Sequence, residues 1–152
     1  MRIIYSILFT TILVLVVFGQ TGPFAGDLNA FYSSDYEGFW KHWNQTRQQA
    51  ISCSSTRNTA MFLSNALIML GNAEVSEANA EVIENLAIAN PECLLNGIDA
   101  LQDSRKELLI KSFLVTPIYK DSSSIEKALD RVWQKGNYTN LRAIFRRARH
   151  GR

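Results

Sequence analysis

The chain has 152 residues, of which 47% are hydrophobic and 20% charged, and its formal net charge is +2. This is the composition of a globular protein and excludes an intrinsically disordered chain; so small a net charge gives no argument for nucleic acid as a partner. The length suits one domain, with enough chain left after a targeting segment to bury a core.

Met1 and Arg2 make a short positive start, Ile3 to Phe18 follow without a charge, and Gly19 to Pro23 break the run. This is the layout of a secretory signal peptide. The competing reading is a membrane anchor, but a span needs roughly 20 apolar residues and this run is shorter. We expect a signal peptide over 1–25, a single helical domain over 26–145 and a basic C-terminal tail over 146–152. The expected location is the periplasm. Secretion, or anchoring by an uncleaved N-terminal segment, is the alternative. No cysteine follows the apolar run to accept a lipid.

Export sets the reading of Cys53 and Cys93, the only two cysteines. An even pair in an oxidising compartment is expected to form a disulfide. The alternative is two buried thiols acting as small hydrophobes. No Cys or His stands at ligand spacing from either, so no metal site is expected, and nothing calls for a cofactor.

Along the chain, Tyr36, Phe39, Trp40 and Trp43 fall at i, i+3, i+4 and i+7, the core-facing side of a helix. Thr56 to Leu70 reads as a second helix, with Ala60, Leu63, Leu67 and Leu70 at helical spacing and Gly71 placed as a left-handed C-terminal residue. Glu74 to Leu101 is expected to form two helices broken at Asn90 and Pro91, with Asn90 as cap and Pro91 at the first helical position. Gly97 weakens the second of them. Ser104 with Glu107, and Ser123 with Glu126, match capping boxes. Pro117 ends one helix, Ile125 to Trp133 carry an amphipathic stripe, and Asn137 caps a last helix with Leu141, Ile144 and Phe145 inside. No stretch alternates with period two for long enough to be a strand. The expectation is therefore an all-α fold of about six or seven short helices packed as hairpins, in a HEAT-like manner or otherwise. No clean internal repeat is present.

The chemistry is sparse. The only histidines are His42 and His150, and no nucleophile motif or Gly-rich phosphate loop appears. Glu74, Glu77, Glu81 and Glu84 fall at i, i+3, i+7 and i+10 and form one face, with no base between Arg57 and Arg105. As acid/base pairs they would need an environment that separates their pKa values, and an exposed face has none. We expect no enzyme. Residues 27–130 carry 14 acids and 8 bases, a net of −6, whereas 131–152 carry 7 bases and no acid, a net of +7. The plain reading of both is solvation. The functional reading is that the four glutamates recognise a basic partner protein, because matched charge speeds association and sets specificity. The arginine-rich tail can touch membrane or cell wall, or meet the glutamates of a second subunit in a homodimer. A structural, envelope-associated helical module is the competing function.

The segment from Cys53 to Trp133, above all ANPECLLNGIDAL and SSSIEKALDRVW, resembles the periplasmic immunity proteins of type VI secretion amidase effectors. The resemblance implies a dimeric helical protein that plugs the active site of a peptidoglycan-degrading toxin. It assigns no binding residue by position.

Overall fold

The computed structural model describes residues 26–135 and 137–151. The signal-peptide expectation for 1–25 lies outside them. The described residues form eight α-helices and no strand, as the periodicity requires. They are α1 (Leu28–Ser34), α2 (Tyr36–Ile51), α3 (Thr56–Ile68), α4 (Ala73–Ala89), α5 (Pro91–Asp99), α6 (Asp103–Leu109), α7 (Ser122–Trp133) and α8 (Thr139–His150). A π-helical segment, Ile110–Val115, continues α6 without a break. No described helix is long and apolar enough to cross a membrane.

Local capping explains most of the boundaries. Asp27 caps α1 through Asn29 N, and Asp35 both ends α1 and accepts from Gly38 N at 2.9 Å to start α2. The Asn72 side chain accepts from Val75 N to start α4, and Asn90 accepts from Cys93 N to start α5 behind Pro91, as expected. The expected capping boxes do not form. Asp121 caps α7 through Ser124 N, and α6 begins at Asp103 after Gln102 with no side-chain cap. Gly71 does not take a positive φ, since α3 already closes at Met69. Among the described residues the left-handed one is Cys53, at φ 53° in the turn after α2.

The main hydrophobic core runs from Ala50 to Ala148 and gathers Leu63, Ile83, Leu94, Ile98, Leu114, Ile125 and Leu141, with Phe62, Phe113 and Phe145 among them. Helix α4 passes through it and packs against α5, α7 and the π-segment, so the hairpins close on a shared centre. A smaller cluster of Leu28, Phe39, Met69 and Val75 joins α1 and α2 to the start of α4, ringed by edge-on contacts among Tyr32, Phe39, Trp40 and Trp43. Aromatic edges meeting ring faces add to the apolar area they bury. Gly97 has a positive role here. A Cβ at that position would stand 2.5 Å from Thr59 Cγ2, so the bare backbone lets α5 lie against α3.

The basic end is part of the fold. The expected boundary at 145 is overturned, because α8 runs on to His150 with Ala148 buried. Arg149 pairs with Glu126 of α7. The amphipathic pattern of Leu141, Ile144, Phe145 and Ala148 carries the helix through the arginines, whose side chains leave the apolar stripe intact.

Candidate functional site

The four glutamates of α4 do not form one surface. Glu74 is exposed, and its carboxylate accepts hydrogen bonds from the hydroxyls of Tyr32 and Tyr36, the latter at 2.7 Å. These donors, Tyr32 first, hold the Glu74 carboxyl below the usual carboxylate range. The same bonds push both tyrosine hydroxyls up. Glu74 thus ties α1 and α2 to the first turn of α4. Glu77 and Glu81 are exposed, and among the described residues neither lies within ion-pair distance of a base.

Glu84 corrects the expectation of a four-glutamate face, because it is 0% exposed. One carboxylate oxygen accepts from Ile118 N at 2.7 Å, and the other accepts from Tyr119 N at 2.8 Å and Lys120 N at 2.7 Å. A buried carboxylate is tolerated only when hydrogen bonds replace its water. Here three successive backbone donors do so, at the short distances of charge-assisted bonds. Successive N–H groups aimed at one point make an anion-binding concavity, and the chain supplies the anion itself.

The clamp fixes the loop between the π-segment and α7. On one side the Thr116 hydroxyl donates to Lys111 O at 3.2 Å, and Phe113, Leu114 and Val115 are buried. On the other, Asp121 accepts from Ser124 N and from the Ser123 hydroxyl, which holds its carboxyl below the usual range, Ser123 contributing most. Between these anchors the backbone is held by Glu84 while the side chains of Ile118 and Tyr119 stand 62% and 49% exposed. An apolar pair on a restrained loop loses little further conformational freedom when it is covered. Glu81 and Glu77 precede Glu84 by one and two helical turns, about 4.5 and 10 Å along α4. Sequence reasoning missed Ile118 and Tyr119. The available signal was an apolar pair behind Pro117 in an otherwise polar connection.

Cys53 and Cys93 are bonded, with their Cα atoms 5.8 Å apart, and join the α2–α3 turn to the first turn of α5. A disulfide fits an oxidising compartment. Among the described residues no group of three or more His, Cys, Asp or Glu could hold a metal ion. His42 lies 6.2 Å from the Phe31 ring, and burial pushes its pKa down. It stands in the aromatic cluster, near Asn79, whose Oδ1 accepts from Trp43 Nε1 at 2.8 Å. The loop offers contact surface in Ile118 and Tyr119. Compared with known proteins, the chain matches no family model, no curated protein and no solved structure.

Proposed function

We propose that this chain is a non-enzymatic exported protein that binds a partner protein through the loop carrying Ile118 and Tyr119 and the neighbouring carboxylates of Glu77 and Glu81. The observation that carries the reading is Glu84, which spends a buried charge on holding three loop amides and leaves two large apolar side chains in water. Exposed aromatic and aliphatic anchors on a fixed backbone, rimmed by charge, are the usual makings of an interface. The partner is an exported peptidoglycan-degrading enzyme with a basic rim, which the loop would enter and the glutamates would steer. The resemblance to amidase immunity proteins supports this choice, and the disulfide and the apolar N-terminal run support the periplasm. The competing reading, a module held to the envelope by its basic end, is less favoured, since Ala148 is buried and Arg149 is paired.

The test is calorimetric titration of the mature chain against exported peptidoglycan hydrolases encoded beside its gene. Ile118→Asp should weaken binding by roughly tenfold or more, as expected of an anchor residue. The double reversal Glu77→Lys with Glu81→Lys should slow association and reduce its salt dependence. All three positions are exposed, so helicity should not change. Binding that is unaffected by both variants would overturn the reading.

A further inference from the structure

A second surface shares no residue with the loop. One face of α3, made by Arg57, Ala60, Met61, Ser64 and Asn65, is only partly covered. Facing it are Ala100, Leu101, Gln102 and Arg105, from the end of α5 to the start of α6. Between them lies an open groove of 530 Å³. Its floor is apolar, from Ala60, Met61 and Leu101, and its two cations are Arg57 and Arg105.

Arg105 is fixed in place. The Arg105 guanidinium donates to Ser64 Oγ, which holds its head against α3. Ser64 follows Arg57 by seven residues, about 10 Å along the helix axis at 1.5 Å per residue. Among the described residues neither arginine lies within ion-pair distance of a carboxylate. This contrasts with Lys106 and Lys111, which are paired with Asp99, Asp103 and Glu107, and with Arg149 on Glu126. The acids near α6 are thus used on lysines, so Arg57 and the donors of Arg105 not spent on Ser64 line the groove without a carboxylate partner among the described residues. Guanidinium is the side chain suited to paired hydrogen bonding with carboxylate.

We infer that this groove is a docking site for an acidic segment of a partner protein, one that presents two carboxylates about 10 Å apart on either side of an apolar side chain. On a helical segment this spacing is met by acids at i and i+7, with Leu or Met at i+3 or i+4 facing the floor. The carboxylates meet Arg57 at one end and Arg105 at the other, and the apolar side chain covers Ala60, Met61 and Leu101. The loop surface selects a basic partner and the groove an acidic one, so the two sites discriminate by opposite charge.

Fluorescence polarisation on the full mature chain tests this with labelled helical peptides that carry paired glutamates at i+3, i+4 or i+7 around a leucine. The i+7 peptide should bind saturably and most tightly, and its glutamine counterpart should bind roughly tenfold or more weakly. Arg57→Glu and Arg105→Glu should each abolish the preference while leaving the melting temperature unchanged, since both positions are exposed. Ile118→Asp should not change peptide binding. Absence of saturable binding to every peptide would overturn the proposal, as would equal binding by the glutamine peptide. Self-association in sedimentation that is lost in Arg57→Glu would overturn it by assigning the groove to a second copy. Binding to anionic vesicles that outcompetes the peptides would overturn it in favour of a lipid surface.

Discussion

Glu81 and Glu84 stand one turn apart on α4, carry the same side chain and belong to the same local pattern, yet one is in water and the other in the core. The difference comes from what lies over each. Above Glu84 the chain returns after more than thirty residues and presents three backbone N–H groups. Glu81 stands in water, and among the described residues it makes no ion pair. A charge on a helix face is therefore no evidence of a surface until the segment that crosses it is known. Glu84 holds the loop, and Glu81 and Glu77 stay exposed.

The most damaging way to break this contrast is to remove the buried member. Glu84→Ala should destabilise the protein by about 3–5 kcal/mol, at about 1–3 kcal/mol for each buried donor left without a partner, reduced where the loop can reach water. Glu84→Gln keeps an acceptor oxygen but points an amide donor at a backbone N–H, and should fall between Ala and the native residue. Chemical denaturation gives the free energies. Amide exchange should localise the effect, with the Ile118, Tyr119 and Lys120 amides losing protection first. If Glu84→Ala matched the near-zero effect expected of Glu81→Ala, the clamp would have no energetic content.

The Cys53–Cys93 bond is a covalent counterpart to the clamp, and it ties α5 where Glu84 ties the loop. It closes a separation of 40 residues, and reduction should lower stability by about 2–4 kcal/mol through the greater freedom of the unfolded chain. The two ties act differently. Reduction should leave protection of the Ile118–Lys120 amides relative to the global value unchanged, whereas Glu84→Ala should lower it. Thiol labelling of denatured, unreduced protein should find no free cysteine; substantial labelling would reject the bond.

Where the determinants were local, the sequence was legible. The 3.6-residue spacing led to the helices of the core, and the Asn90–Pro91 break appears where its chemistry places it. The short helix α1 was not anticipated, since seven residues give little periodicity to read. The Ser123–Glu126 box gave way to Asp121 as the cap, with Glu126 paired to Arg149 from the far end of the chain, while Ser104 lies inside α6 and Glu107 is paired with Lys111. Gly97 looked like a weakness in a helix, but its value lies in the distance to Thr59, which no window around residue 97 contains. The site was the least legible part. Glu84 and its amides are separated by 34 to 36 residues, so the local pattern gave all four glutamates the same face.

Glu74 offers the gentlest test, because it is bonded like Glu84 but exposed like Glu81. Its folded-state pKa is depressed by the Tyr32 and Tyr36 hydroxyls. Its contribution is therefore present above the ordinary carboxylate pKa of about 4.3 and is lost as the pH falls through the lower folded value. The two tyrosines have raised folded pKa values, chiefly from the bond to Glu74. Their neutral donors are favoured in the folded state, so that contribution is complete below the ordinary tyrosine pKa of about 10 and is lost as the pH rises through the higher folded values. A Tyr32→Phe, Tyr36→Phe double variant keeps the rings of the aromatic cluster and removes only the hydroxyls. Its deficit against the native protein should be small, greatest across the neutral range, and should close at both ends of a melting-temperature profile against pH. A deficit that stayed constant with pH would trace to ring packing instead, and Glu74 would then belong with Glu77 and Glu81 as a solvent-facing carboxylate.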